Sequence, residues 1–115
     1  MKTKVYILDQ VYNNETGVRE WIVKTVDGYT TSREQFSAVH RGRGDWVIIH
    51  NMSGLAVCYE RSQGLLMKEL DRLIVDKKLL RDIVNAETVE AEEKVIRGIG
   101  IKPIWELIGG KDERS

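Results

Sequence analysis

The sequence predicts an α+β domain: an antiparallel sheet of about four strands packed by C-terminal helices, in the order β-β-α-β-β-α-α. Three observations predict it. Residues 4–12 and 18–26 are runs rich in β-branched and aromatic residues, separated by the turn-forming "NNETG". Residues 45–60 repeat that pattern around "NMSG", and from Ser62 onward the apolar spacing changes from two to about 3.6 residues.

The first run, "KVYILDQVY", carries Val, Ile and Tyr side chains that fit a pleated surface. The Asn residues and Gly17 of "NNETG" tolerate positive φ, so the chain is expected to reverse there into a return strand over 18–26. Asp27-Gly28 is a further turn signal and admits a short third strand at 29–31. "TSREQF" then reads as a helix start, with Thr31 or Ser32 capping the first turn and Glu34 or Gln35 reaching back. That helix is expected to be short. Phe36 and Val39 share one face, His40 and Arg41 sit at the electronegative end, and Gly42 is a left-handed stop.

Two more strands are expected at 45–51 and 55–60. A two-residue loop of Ser53 and Gly54 would set Ile48 opposite Tyr59 and His50 opposite Val57. Both faces are then apolar, Trp46, Ile48, Met52, Leu55, Val57 and Tyr59 on one and Val47, Ile49, Ala56 and Cys58 on the other, so one is expected to meet helices and the other to be available to a partner. Beyond Ser62, Leu66, Leu70, Leu73, Ile74, Leu80 and Val84 follow one helical stripe. Residues 85–88 are expected to interrupt it and to cap a helix over 88–97, whose acidic first turn suits the positive end of the dipole. Gly98 and Gly100 end that helix. Pro103 opens a last turn that buries Trp105, Leu107 and Ile108, and the domain is taken as 1–110 with a frayed polar tail at 111–115.

A chain of 115 residues with 42% hydrophobic and 31% charged residues has the composition of one globular domain. Eighteen Lys and Arg balance eighteen Asp and Glu, so no whole-molecule field attracts long nucleic acid or an anionic membrane. The single cysteine excludes an internal disulfide and a thiolate zinc site. The apolar run Val5 to Leu8 is too short for a signal peptide, and no stretch approaches the roughly 18 apolar residues of a membrane span. A soluble cytoplasmic protein is the expectation.

"RGRGDW" carries the most specific chemistry. Gly42 and Gly44 let the backbone turn and present N–H groups, and Arg41 and Arg43 offer planar forks that match phosphate. Trp46 or Tyr59 could stack on a base. The loop matches neither GxxxxGK[ST] nor GxGxxG, so a helix stop with solvated arginines is the competing reading. His50 and Cys58 fall on opposite faces in the expected register, His40 has no ligand-spaced carboxylate, and Glu87, Glu90, Glu92 and Glu93 read as an exposed helix start. No catalytic constellation, metal site or cofactor follows from these residues. The expected function is non-catalytic binding of a small anionic, nucleotide-like ligand for sensing or sequestration, at or near a subunit interface of a homodimer. The alternative is an adaptor or inhibitor acting by protein–protein contact through the apolar arc Leu65, Met67, Val75, Leu79 and Ile83.

Overall fold

The computed structural model describes residues 1–42 and 44–107. Five antiparallel strands precede three helices: β1 Lys2–Asn13, β2 Val18–Thr30, β3 Phe36–His40, β4 Trp46–His50, β5 Ala56–Glu60, α1 Gln63–Asp76, α2 Lys78–Asn85 and α3 Val89–Arg97. The α+β class stands, with five strands in the order β1-β2-β3-β4-β5 rather than about four. A last helical turn covers 104–107.

The expected first helix is instead β3. Thr31 explains the difference, because its hydroxyl oxygen accepts Arg33 N–H at 3.1 Å and its proton is shared with the Arg33 and Phe36 carbonyls, at 2.7 and 3.0 Å. The capping chemistry is real, but it closes a turn at 31–36 instead of opening a helix. The chain that leaves the turn is five residues long and pairs on both sides, with β2 through Tyr29↔Ala38 and with β4 from Phe36↔His50 to His40↔Trp46. The short third strand expected at 29–31 is the end of β2.

The β4–β5 register differs by one step from expectation. Val47 faces Tyr59, Ile48 faces Cys58, and a bulge separates Ile48 from the Ile49↔Ala56 pair. A one-residue shift moves every side chain to the other face. Cys58 therefore joins Phe36, Ala38, Ile48 and Met52 on the helix side, where they pack with Leu66, Leu70, Ile74, Leu80, Ile83 and Ile96. Tyr59 goes to the opposite face.

That opposite face is covered from within the chain. The β1–β2 hairpin bends over β3 and β4, so Val5 packs with Val39, Val47 and Ile49, and Ile7 and Val26 border the cluster. Two glycines permit the bend. A Cβ on Gly28 would stand 2.6 Å from Val5 Cγ2 and 2.9 Å from the Ala38 carbonyl oxygen. Gly54, at φ 73°, receives β1 directly: Leu8 N–H donates to the Gly54 carbonyl at 2.8 Å. The sheet thus curls until its first strand reaches the turn between its last two.

The helices follow their patterns with one added break. Ser62 caps α1 by accepting Leu65 N–H at 3.2 Å, and Leu66, Leu70 and Ile74 form its buried stripe. The stripe continues into α2, but Lys77 is extended at φ −107° and ψ 118°, so the two helices meet at an angle the apolar spacing does not reveal. Thr88 caps α3 through Ala91 N–H at 3.0 Å. In the last turn Pro103 and Ile104 are buried, whereas Trp105, expected inside, is exposed. Ile108 and the 111–115 tail lie outside the described residues. No helix among the described residues is long and apolar enough to cross a membrane.

Candidate functional site

The "RGRGDW" loop turns a β-hairpin between β3 and β4 and does not connect a helix to a strand. Arg41 N–H donates to the Asp45 carbonyl at 2.8 Å, and Asp45 N–H to the Gly42 carbonyl at 3.1 Å. Gly42 and Gly44 adopt φ 74° and 84°, the left-handed conformation that glycine enters without penalty. The amides of Arg41 and Asp45 are thus engaged inside the turn, not presented to an anion. Arg43 lies outside the described residues.

The remaining candidate side chains divide between the two faces of the sheet. Trp46 is on the helix side, where its ring packs against His40 at 4.9 Å and Tyr29 at 5.8 Å between centroids. Tyr59 is on the hairpin side, with the Arg41 guanidinium 5.5 Å from its ring centroid. Arg41 and Tyr59 are therefore brought together, and Trp46 is kept from them by the sheet itself.

Arg41 and Tyr59 stand at the end of a groove of about 590 Å³ between the bent β1–β2 hairpin and β3–β5. Its floor is Val39, Val47 and Ile49, and Ile7 and Val26 contribute from the hairpin. Two carboxylates line the rim, each beside a lysine. Lys24 Nζ stands 3.0 Å from Asp9, and Lys4 Nζ 2.6 Å from Asp27. The Lys24 hydrogen bond holds the Asp9 carboxyl below its ordinary range, with help from the Gln10 amide and a smaller contribution from the Arg41 charge. The Lys4 hydrogen bond does the same for Asp27. Each acid has a lysine at ion-pair distance, whereas Arg41, whose charge reaches Asp9 only from further off, has no carboxylate among the described residues within 4 Å.

A second polar constellation lies on the helix side. His50 Nε2 is 2.6 Å from Glu92 Oε2 on α3, and His50 Nδ1 is 2.8 Å from Ser53 Oγ. All three residues are buried. Glu92 is thus not part of a solvated helix start. The available signal was its position four residues before Ile96, which places both on the buried face of α3. His50 and Cys58 do share a face, yet the imidazole engages Ser53 and Glu92 rather than the thiol. Burial, aided by Glu69 and Glu60, pushes the Cys58 thiol up to about 11, so it stays protonated and a poor nucleophile at neutral pH.

Ser, His and Glu in hydrogen-bond sequence are the parts of a nucleophilic relay. Acyl transfer also needs N–H donors free to hold an oxyanion. The two amides after Ser53 are already engaged, Gly54 N–H on the His50 carbonyl at 2.7 Å and Leu55 N–H on Ser53 Oγ at 3.2 Å. The constellation reads as a structural network that ties α3 to the β4–β5 turn. Among the described residues no group of three or more His, Cys, Asp or Glu is placed to hold a metal ion. The chain matches no protein-family model, no curated protein and no solved structure.

Proposed function

We propose that the protein is a non-catalytic binder of a small anionic, nucleotide-like ligand, held for sensing or sequestration in the groove between the β1–β2 hairpin and the sheet. One observation carries the reading: a guanidinium with no carboxylate of the described residues at ion-pair distance lies over an aromatic ring at the end of an apolar-floored groove. A planar ligand body would lie along Val39, Val47 and the Tyr59 ring, with its anionic group against the Arg41 fork. Trp46 has no part in this arrangement.

A thermal-shift panel of mono-, di- and cyclic nucleotides tests it. At least one compound should raise the melting temperature. Arg41→Ala should then weaken that compound by about 1.5 to 3 kcal/mol, the usual range for hydrogen bonds to a charged group. A panel in which nothing stabilises the chain removes the reading.

Protein contact, with a homodimer as its simplest form, is a second reading with its own observation. The helix arc first considered is largely used inside the fold, since Ile83 is only 2% exposed and Met67 and Leu79 pack against the core. Leu65 and Val75 are the exposed members. The far end of the β1–β2 hairpin offers more, with Tyr12 61%, Val18 56% and Trp21 57% exposed. Tyr12 pairs with Arg19 and Gln10 with Trp21, so both rings lie on one face of a two-stranded ribbon that is marginal in water without support. Sedimentation at tens of micromolar should give twice 13.2 kDa. Trp21→Glu should return the monomer mass with the melting temperature unchanged, and a monomeric wild-type chain would count against the dimer.

A further inference from the structure

Two observations meet on the helix side of the sheet. A cavity of about 210 Å³ lies between the β4–β5 hairpin and helices α2 and α3, walled by Leu55, Leu79, Ile83, Ile96 and Ile101. Ser53 and His50, which are 2% and 3% exposed, also line it. The pocket is partly open to solvent, since Ala56 in its lining is exposed. An apolar cavity of about 150 Å³ is already enough to bind benzene. This one is larger and sets a polar pair into an otherwise hydrocarbon wall, the composition of a small-molecule site rather than of a packing defect.

The hydrogen-bond network defines what the polar end accepts. With Glu92 a carboxylate and the imidazole in its neutral form, His50 Nε2 donates to Glu92 and Nδ1 accepts the Ser53 hydroxyl proton. Ser53 Oγ also accepts Leu55 N–H. A hydroxyl oxygen has two lone pairs, and the Leu55 amide uses one of them. Ser53 therefore has one acceptor position left and no proton to give. A matching guest brings a donor. No Lys, Arg, Asp or Glu stands among the described residues lining the cavity, so an ionised guest would lose its hydration with no counter-charge to replace it.

We infer that this cavity binds a small neutral molecule with an apolar body about the size of a benzene ring and a single O–H or N–H donor directed at Ser53 Oγ, in the class of phenols and short alcohols. The inference is independent of the groove, which lies across the sheet.

Phenol, benzene and benzoate titrated into the ¹⁵N-labelled chain test it. Phenol should shift the amide signals of Leu55, Ile83 and Ile101 and bind about three- to tenfold tighter than benzene, the net worth of one hydrogen bond. Benzoate should leave those signals in place. Ser53→Ala should reduce phenol to the affinity of benzene, and Ile101→Trp, which fills the cavity without touching the network, should abolish both. Absence of phenol shifts at these residues overturns the inference, as does equal wild-type affinity for phenol and benzene, which would mark a purely apolar void. If Ser53→Ala does not fold, the wild-type comparison of phenol with benzene decides.

Discussion

Glu92→Ala is expected to destabilise the fold by about 1 to 3 kcal/mol, the usual cost of leaving a buried donor without its acceptor. The substitution leaves His50 Nε2 with a donor and no acceptor in a place where water does not compensate, because the two side chains are 4% and 11% exposed. It also frees the Ser53 hydroxyl, since the imidazole loses the partner that fixes its tautomer. In urea the unfolding midpoint should fall by about 1 M. Glu92→Gln, whose amide oxygen can still accept from Nε2, should lose less. Glu90→Ala, on the exposed side of the same helix, should stay within about 0.5 kcal/mol of wild type. Equal effects at positions 90 and 92 would mean that the buried pair contributes nothing particular.

Gly54→Ala is the second large effect. The position combines φ 73° with a close approach: a Cβ there would stand 2.9 Å from Leu8 N and would also meet the Ile104 side chain. Left-handed backbone costs an L-residue about 1 to 2 kcal/mol, and overpacking adds typically about 1 to 3 kcal/mol. Gly42→Ala is the internal control, because it has φ 74° and nothing within 4 Å of the added carbon. It should show only the backbone penalty, and the difference between the two variants isolates the contact between β1 and the β4–β5 turn. Since that contact holds the hairpin over β3 and β4, Gly54→Ala should also weaken any ligand of the groove, whereas two variants of equal stability would remove the hairpin's anchor from the account.

Much of the fold was legible in the sequence for reasons these residues make plain. Period-two runs marked β1, β2, β4 and β5, and the spacing of Leu66, Leu70 and Ile74 marked α1 and its buried stripe. Thr88 announced α3 through its cap. What failed was local chemistry with two uses. Thr31 can cap a helix or close a turn, and the choice was made by pairing with β2 and β4, strands that a window of six residues does not contain. The bulge after Ile48 moved Tyr59 across the sheet, so two aromatic residues assigned to one site stand on opposite faces. Register in a hairpin follows from turn geometry, and "NMSG" admits more than one turn.

The groove and the buried pair were illegible for a different reason. Val5, Val39 and Val47 are far apart in sequence and meet where Gly28, lacking a side chain, lets Val5 approach β3 closely, a position at which the sequence shows only a turn signal. His50 and Glu92 are separated by 42 residues. Each looked ordinary in its own segment, the one as a strand histidine and the other as part of an acidic helix start. Arg41 and Tyr59, both singled out in the sequence, stand side by side, although the loop that joins Arg41 to Trp46 is a hairpin turn rather than a phosphate cradle.

The groove beside Arg41 is read most directly by a ¹⁵N chemical-shift titration with a nucleoside monophosphate. The predicted result is saturable shifts confined to Val39, Arg41, Val47, Ile49 and Tyr59, with the signals of the Trp46 face unmoved. Shifts clustered on Trp46 and Tyr29, or no saturable shift at any of the groove residues, would contradict it.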